Sequence, residues 1–186
     1  MKIMKLTEVQ KNDYLKHLLE LPEQDKKMRF NGAMHDASIT NYVDSINWDR
    51  DMILGKYDKD LNLVAAAHIG FYITKDQTTA EIGLSVDSNH RGNGTGYQIF
   101  SQAIMYARNH NANKIWVSCS RSNRKMINIA AKHGLELVSE STDMEGYLTV
   151  DKGNLVTWLL EIREDNLAFV DYLGKKHTKI FRDIFF

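Results

Sequence analysis

The chain has 186 residues, with 24 Lys and Arg balanced by 24 Asp and Glu, a single cysteine and 43% hydrophobic side chains. That length suits one compact domain with a sizeable core. The balanced charge argues against gripping a nucleic-acid backbone, which needs a basic excess. One cysteine makes no internal disulfide and no Cys-rich zinc site. No apolar run reaches the ~18 residues of a membrane span. The opening MKIMKLTEVQKND lacks the apolar stretch of a signal peptide, so the expected location is cytoplasmic.

In chain order, Lys2 to Leu6 suits a short strand. Thr7 with Gln10 three residues on reads as a capping box for a helix whose apolar face is Tyr14, Leu15, Leu18 and Leu19. A polar stretch from Pro22 to Asp36 breaks the pattern; it is a connecting loop or a lid on the substrate side, with Arg29 and Phe30 its distinctive residues. Ile39, Tyr42, Val43 and Ile46 restore helical spacing, with Asp36 or Ser38 as N-cap.

From Asp51 the period falls to two. Met52 to Tyr57, the alternating Leu63 to Ile73, and a strand placing Ala80, Ile82, Leu84 and Val86 on one face form an antiparallel meander. Glu81, Gly83 and Ser85 take the opposite face. Then come a glycine-rich loop, a helix to about His110, the strand KIWVSCS and a helix stopped by Gly134. Leu135 to Ser139 and Tyr147 to Val150 suit a hairpin, and Leu155, Trp158, Leu159 and Ile162 open a last helix, with KIFRDIFF ambiguous. The order βααβββαβαββα is an α+β fold with a mixed, mostly antiparallel sheet flanked by helices.

The informative loop is His90-Arg91-Gly92-Asn93-Gly94-Thr95-Gly96-Tyr97, between a strand and a helix. Alternating glycines allow positive φ and turn several amides toward one point at a helix N-terminus, a cradle for phosphate oxygens. A tight structural turn is the competing reading. The dinucleotide fingerprint fails, because Tyr97 breaks the glycine spacing and the next strand ends in Ser118-Cys119-Ser120 without an acid. The P-loop Gly-Lys-Ser/Thr is absent as well.

Arg91-x-x-Gly94-x-Gly96 instead resembles the pyrophosphate loop of the GNAT superfamily of acyl-CoA-dependent N-acyltransferases. The resemblance covers about residues 52 to 148. It includes the strand AEIGLSV before the loop and SNRKMINIAAKHGLEL after it, where Asn123 opens a helix that Gly134 and Leu135 end. The resemblance implies a GNAT-like domain over 1–150 and a helical extension packed on it over 151–186. It implies acetyl-CoA as co-substrate, no metal, and transfer of the acetyl group to a primary amine in a ternary complex. Backbone groups of Leu84, Ser85 and Val86 would hold the pantetheine, and the amides of Arg91, Gly92, Asn93, Gly94, Thr95 and Gly96 the pyrophosphate. Asn123 would reach the pantetheine arm or its thioester end, and Arg124 and Lys125 a CoA phosphate or only solvent.

Glu81 stands where several members carry a catalytic glutamate; a salt-bridged or substrate-orienting acid is the alternative. The helix position where many members place a tyrosine is Ala130, and Tyr147 is a substitute proton donor. His68 reads as a packed core histidine before a catalytic one, and Cys119 as a buried thiol before an acyl carrier. The basic tail Lys175, Lys176, His177, Lys179 and Arg182 reads as a solvated helix end. The expected acceptor is a small-molecule or peptide amine, with no membrane, no nucleic acid, and a homodimer allowed. A non-catalytic acyl-CoA-binding module and a modifier of a protein or RNA target are the alternative functions.

Overall fold

The computed structural model describes residues 2–140 and 142–185. Seven strands, β1 (Ile3–Leu6), β2 (Met52–Tyr57), β3 (Leu63–Ile73), β4 (Thr78–Val86), β5 (Lys114–Ser120), β6 (Glu136–Glu140) and β7 (Asp143–Thr149), make one sheet in the order β1-β2-β3-β4-β5-β7-β6. Among the described residues six α-helices accompany them: α1 (Lys11–Leu19), α2 (Glu23–Arg29), α3 (Asp36–Asp44), α4 (Thr95–Asn109), α5 (Arg124–Lys132) and α6 (Leu155–Phe185). The fold is the expected α+β architecture with one mixed sheet.

Period-two patterning sorts side chains to the two faces. Leu54 of β2, Ala67 and Ile69 of β3 and Ala80 and Ile82 of β4 meet Ile99, Phe100 and Ala103 of α4. On the other face Ile53 and Ala66 meet Tyr14 and Leu18 of α1 and Ile39 and Val43 of α3. Ile99 and Phe100 are wholly buried, each stabilising the fold by roughly 1.5–3 kcal/mol.

Several elements differ from the sequence reading. The capping pair is present, with the Thr7 amide donating to Gln10 Oε1 at 2.9 Å, but it opens a 3₁₀ turn at Glu8–Gln10 before α1 begins. The cap of α3 is His35, with Asp36 its first residue and no side-chain cap bond. The polar stretch from Pro22 contains α2, which has too few apolar residues to betray a helix. Ion pairs hold it instead: buried Lys26 lies 3.2 Å from Glu23 and 2.8 Å from Asp36. β7 starts at Asp143, earlier than expected, because Asp143 to Tyr147 pair with Ser120 to Trp116 of β5. The ambiguous ending continues α6 to Phe185, while Phe186 lies outside the described residues.

The topology opens the site. β4 and β5 are parallel and pair only at Thr79, Ala80 and Glu81 with Lys114, Ile115 and Trp116. Beyond Glu81 the strands part, so the rest of β4 has no strand beside it on that edge. The helix α2 packs against both β4 and β5 at this mouth. The long α6 lies against β1 and α4, tied by Tyr106 to Asp165 and by Asn109 Nδ2 to Glu161 Oε2 at 2.6 Å. Among the described residues no helix is long and apolar enough to cross a membrane.

Candidate active site

Two clefts, about 580 and 360 Å³ in volume, enter the parting of β4 and β5 and share Met28, Arg29, Leu84, Asn123 and Met126. The first is lined by the glycine loop, the end of β4 and the start of α5. The second lies on the side of α3 and holds Glu81, His68, Tyr42 and Asp51.

In the first cleft, Gly92 and Gly94 adopt φ of +82° and +81°, which L side chains rarely take, and α4 starts immediately afterwards at Thr95. The loop therefore presents backbone to the cleft at a helix N-terminus. Gly96 supports close packing, since a Cβ there would lie 3.1 Å from Ile129 Cδ1. Leu84, Ser85, Val86, Arg91, Gly92, Gly94, Thr95, Gly96 and Asn123 all line this cleft.

The loop's side chains mostly build the loop. Arg91 donates from Nε and Nη2 to the Val86 carbonyl, at 2.9 and 2.7 Å, and pairs with Asp25 Oδ2 of α2 at 2.7 Å. Asn93 is turned back rather than lining the cleft, its Oδ1 accepting from the amide and hydroxyl of Thr95 at 3.1 and 2.7 Å. Behind the loop, buried Lys56 donates to Thr95 Oγ1 at 3.2 Å, and burial, with Lys175 nearby, pulls its pKa down. Asn123 caps α5, accepting from the Met126 amide at 3.1 Å. Arg124 and Lys125 line the cleft as exposed cations.

In the second cleft, Glu81 Oε2 accepts from the Tyr72 hydroxyl at 2.9 Å, a bond that pushes the Tyr72 phenol up to about 12. His68 is both packed and cleft-lining. The single Tyr42 hydroxyl accepts from Arg29 Nη2 at 2.9 Å, so its hydrogen goes to His68 Nδ1 at 2.6 Å. The His68 hydrogen then sits on Nε2, 3.8 Å from Asp51 Oδ2. Burial opposes the Asp51 charge, but the facing His68 and the Arg50 guanidinium hold its carboxyl well below the usual range.

The remaining candidates lie elsewhere or are inert. Tyr147 gives its hydroxyl to Glu145 and lines neither cleft, so it is not placed to substitute for a tyrosine at position 130. Ala130 is buried in the core. Cys119 touches the second cleft, but it is 3% exposed and burial raises its thiol pKa, which keeps it protonated. The basic tail is partly tied down, Lys175 donating to the Tyr57 carbonyl at 3.1 Å and Arg182 meeting Asp60 at 2.7 Å. Sequence reasoning missed Asp25, Tyr42 and Asp51. Each acts on a residue far along the chain, so no local spacing signals it.

A glycine-lined loop at a helix start thus lies beside two parallel strands that part over a second cleft. Residues 15–135 match the model of the acetyltransferase (GNAT) family, and the chain belongs to that family. No curated protein sequence matches it. Solved structures share the fold at low identity. The GNAT domain of S. lividans PAT has a TM-score of 0.67 at 12% identity, over 80% of this chain and 89% of that one. Ribosomal-protein-alanine N-acetyltransferase from Brucella melitensis gives 0.61 at 15%, over 81% and 100%. A structure of yncA from Salmonella typhimurium with its cofactor acetyl-CoA gives 0.60 at 14%, over 83% and 96%.

Proposed function

We propose that this protein is an N-acetyltransferase that transfers the acetyl group of acetyl-CoA directly to a primary amine within a ternary complex. The observation that carries the reading is the meeting of the two clefts at Leu84, which leaves one chamber for each substrate. The solved relative with acetyl-CoA and the relative acting on ribosomal-protein alanine support the two substrate classes.

Acetyl-CoA supplies a thioester whose carbonyl carbon the amine nitrogen attacks, forming the C–N bond as the C–S bond breaks and the CoA thiol leaves. The loop from Arg91 to Gly96 holds the pyrophosphate with the backbone amides that its own hydrogen bonds leave free, those of Thr95 and Arg91 being spent on Asn93 and Ser88. Gly92 and Gly94 fit that task because their positive φ suits glycine, which brings no side chain into the cradle. Lys56 behind the loop and Arg124 and Lys125 at its rim add positive charge. The edge of β4 that β5 leaves open at Leu84 to Val86, where Arg91 takes only the Val86 carbonyl, holds the pantetheine and orients the acetyl carbonyl, and Asn123 contacts the arm.

An alkylamine at pH 7 is protonated, and freeing its nitrogen costs about 4–5 kcal/mol. Glu81 receives that proton through water, with Tyr72 fixing one of its oxygens. Bound side by side, the substrates need no covalent enzyme intermediate, in keeping with a protonated, buried Cys119.

The test is release of free CoA thiol from acetyl-CoA over a panel of primary amines, peptides and RNA, together with the melting-temperature shift given by CoA. Thiol release dependent on an amine is expected. A CoA-induced shift without release for any acceptor would establish a binding module instead.

A further inference from the structure

The Arg29 guanidinium sits at the junction of the two clefts. It lies flat against β4, where a Cβ added to Gly83 would come within 2.4 Å of Nη2, so only glycine admits it there. The Phe30 and Tyr42 rings flank it at 5.0 and 5.6 Å. Its one well-formed hydrogen bond goes to the Tyr42 hydroxyl, a neutral acceptor, and Nε is buried without any partner. The buried Tyr14 hydroxyl also faces this guanidinium and Tyr42, with no well-formed hydrogen bond of its own.

Among the described residues no carboxylate pairs with this cation. Asp25, one helical turn earlier and the natural i,i+4 partner, is turned away to Arg91 at 2.7 Å. Asp51 is taken by Arg50 at 2.8 Å, and Glu81 by Tyr72. An enclosed guanidinium with neutral neighbours loses hydration without Coulombic return, a cost an incoming anion relieves. Its planar fork matches a carboxylate.

We propose that Arg29 receives a carboxylate carried by a substrate, supplied either by an amino-acid-like acceptor amine or by a dicarboxylic acyl group on CoA. The proposal rests on the acetyltransferase reading and names the substrate class of that same site. Glu81 and Gly83, on which Arg29 rests, share one face of β4 two residues apart, about 7 Å along the strand. An acceptor whose amine faces Glu81 through a water and whose carboxylate faces Arg29 spans that interval. A free amino acid has this form. A dicarboxylic acyl group on CoA would present the same carboxylate from the other cleft.

The experiment compares thiol release with phenylalanine, methionine and lysine against the amines left when each loses its α-carboxyl group. A second arm compares succinyl-CoA with acetyl-CoA on the neutral amines. In the wild type the carboxylate-bearing partner of one arm is expected to exceed its neutral counterpart by about tenfold or more in kcat/KM. Arg29→Met should bring that ratio to within about threefold of unity. The arm that responds names the source.

Binding gives a second readout, independent of catalysis and of the variant's folding. In wild-type protein saturated with CoA, N-acetylphenylalanine should raise the melting temperature where N-acetylphenethylamine does not, or succinyl-CoA should raise it beyond acetyl-CoA. Gly83→Ala, which wedges a methyl group against the guanidinium, should reduce the same difference. Equal rates and equal shifts for charged and neutral partners in both arms, or a preference that survives Arg29→Met, would overturn the proposal. Absence of thiol release with every acceptor would sink the transferase reading alone, leaving the melting shifts to decide the carboxylate site.

Discussion

His17 Nε2 and the Ser85 hydroxyl lie 2.8 Å apart, joining α1 to the part of β4 that lines the first cleft. The other ring nitrogen, Nδ1, donates to the Leu63 carbonyl at 2.8 Å, so Nε2 accepts from Ser85 and the imidazole is neutral. Burial pulls its pKa down to about 4 from the ordinary 6.5.

That depressed value makes stability depend on acid. The unfolded chain binds the proton more readily, so the native state is favoured in full above about pH 6.5 and loses ground as pH falls toward 4. The loss amounts to on the order of 3 kcal/mol across that window. His17→Gln should cost some stability at pH 7 and flatten this part of the profile. Urea denaturation at pH 7, 5.5 and 4.5 tests it; an unchanged slope for the variant would place the acid sensitivity elsewhere.

In the glycine loop, a folded protein at a hundredfold excess of CoA over Kd should gain about 5–10 °C in melting temperature. Gly94→Asp should abolish the gain, because φ of +81° disfavours any side chain and the carboxylate faces the phosphates. No atom would clash with the added Cβ, so the variant should still fold. A full CoA shift in Gly94→Asp would remove the loop from the cofactor site.

Glu81→Gln should lower turnover about a hundredfold at neutral pH with the CoA shift intact. Tyr72→Phe deletes only the donor at 2.9 Å and should cost much less, about two- to fivefold. Turnover of Glu81→Gln within threefold of wild type would reduce Glu81 to a structural acid.

Ala130 is 1% exposed and packed in the core beside Met126, so its position has no room for a ring. Ala130→Tyr should lose about 1–3 kcal/mol of stability without any gain in turnover. A stable variant with a tenfold higher maximal rate would show that protonation of the leaving thiolate limits the reaction.

Cys119→Ala should keep thiol release within about threefold of wild type, and the native thiol should resist alkylation at pH 7.5, since burial keeps it protonated. Rapid alkylation with loss of activity would reopen an acyl-cysteine route.

The sequence by itself determined the meander, the loop and the helix that follows it. Alternation along Leu63 to Ile73, the glycines at 92, 94 and 96, and Gly134 as a helix stop are signals carried by neighbouring residues. Steric rules act over a few residues, so such signals survive in one dimension. The tertiary structure alone decided what the side chains do. Arg91, legible as a basic residue beside a phosphate loop, spends its guanidinium on Val86 and Asp25. His68 meets Tyr42 across 26 positions of chain. Arg29, in a stretch with no helical pattern, is carried by an ion-paired helix onto Gly83. Such contacts join residues remote in sequence, and their strength comes from desolvation and charge in an enclosed space. Only the folded chain creates that space.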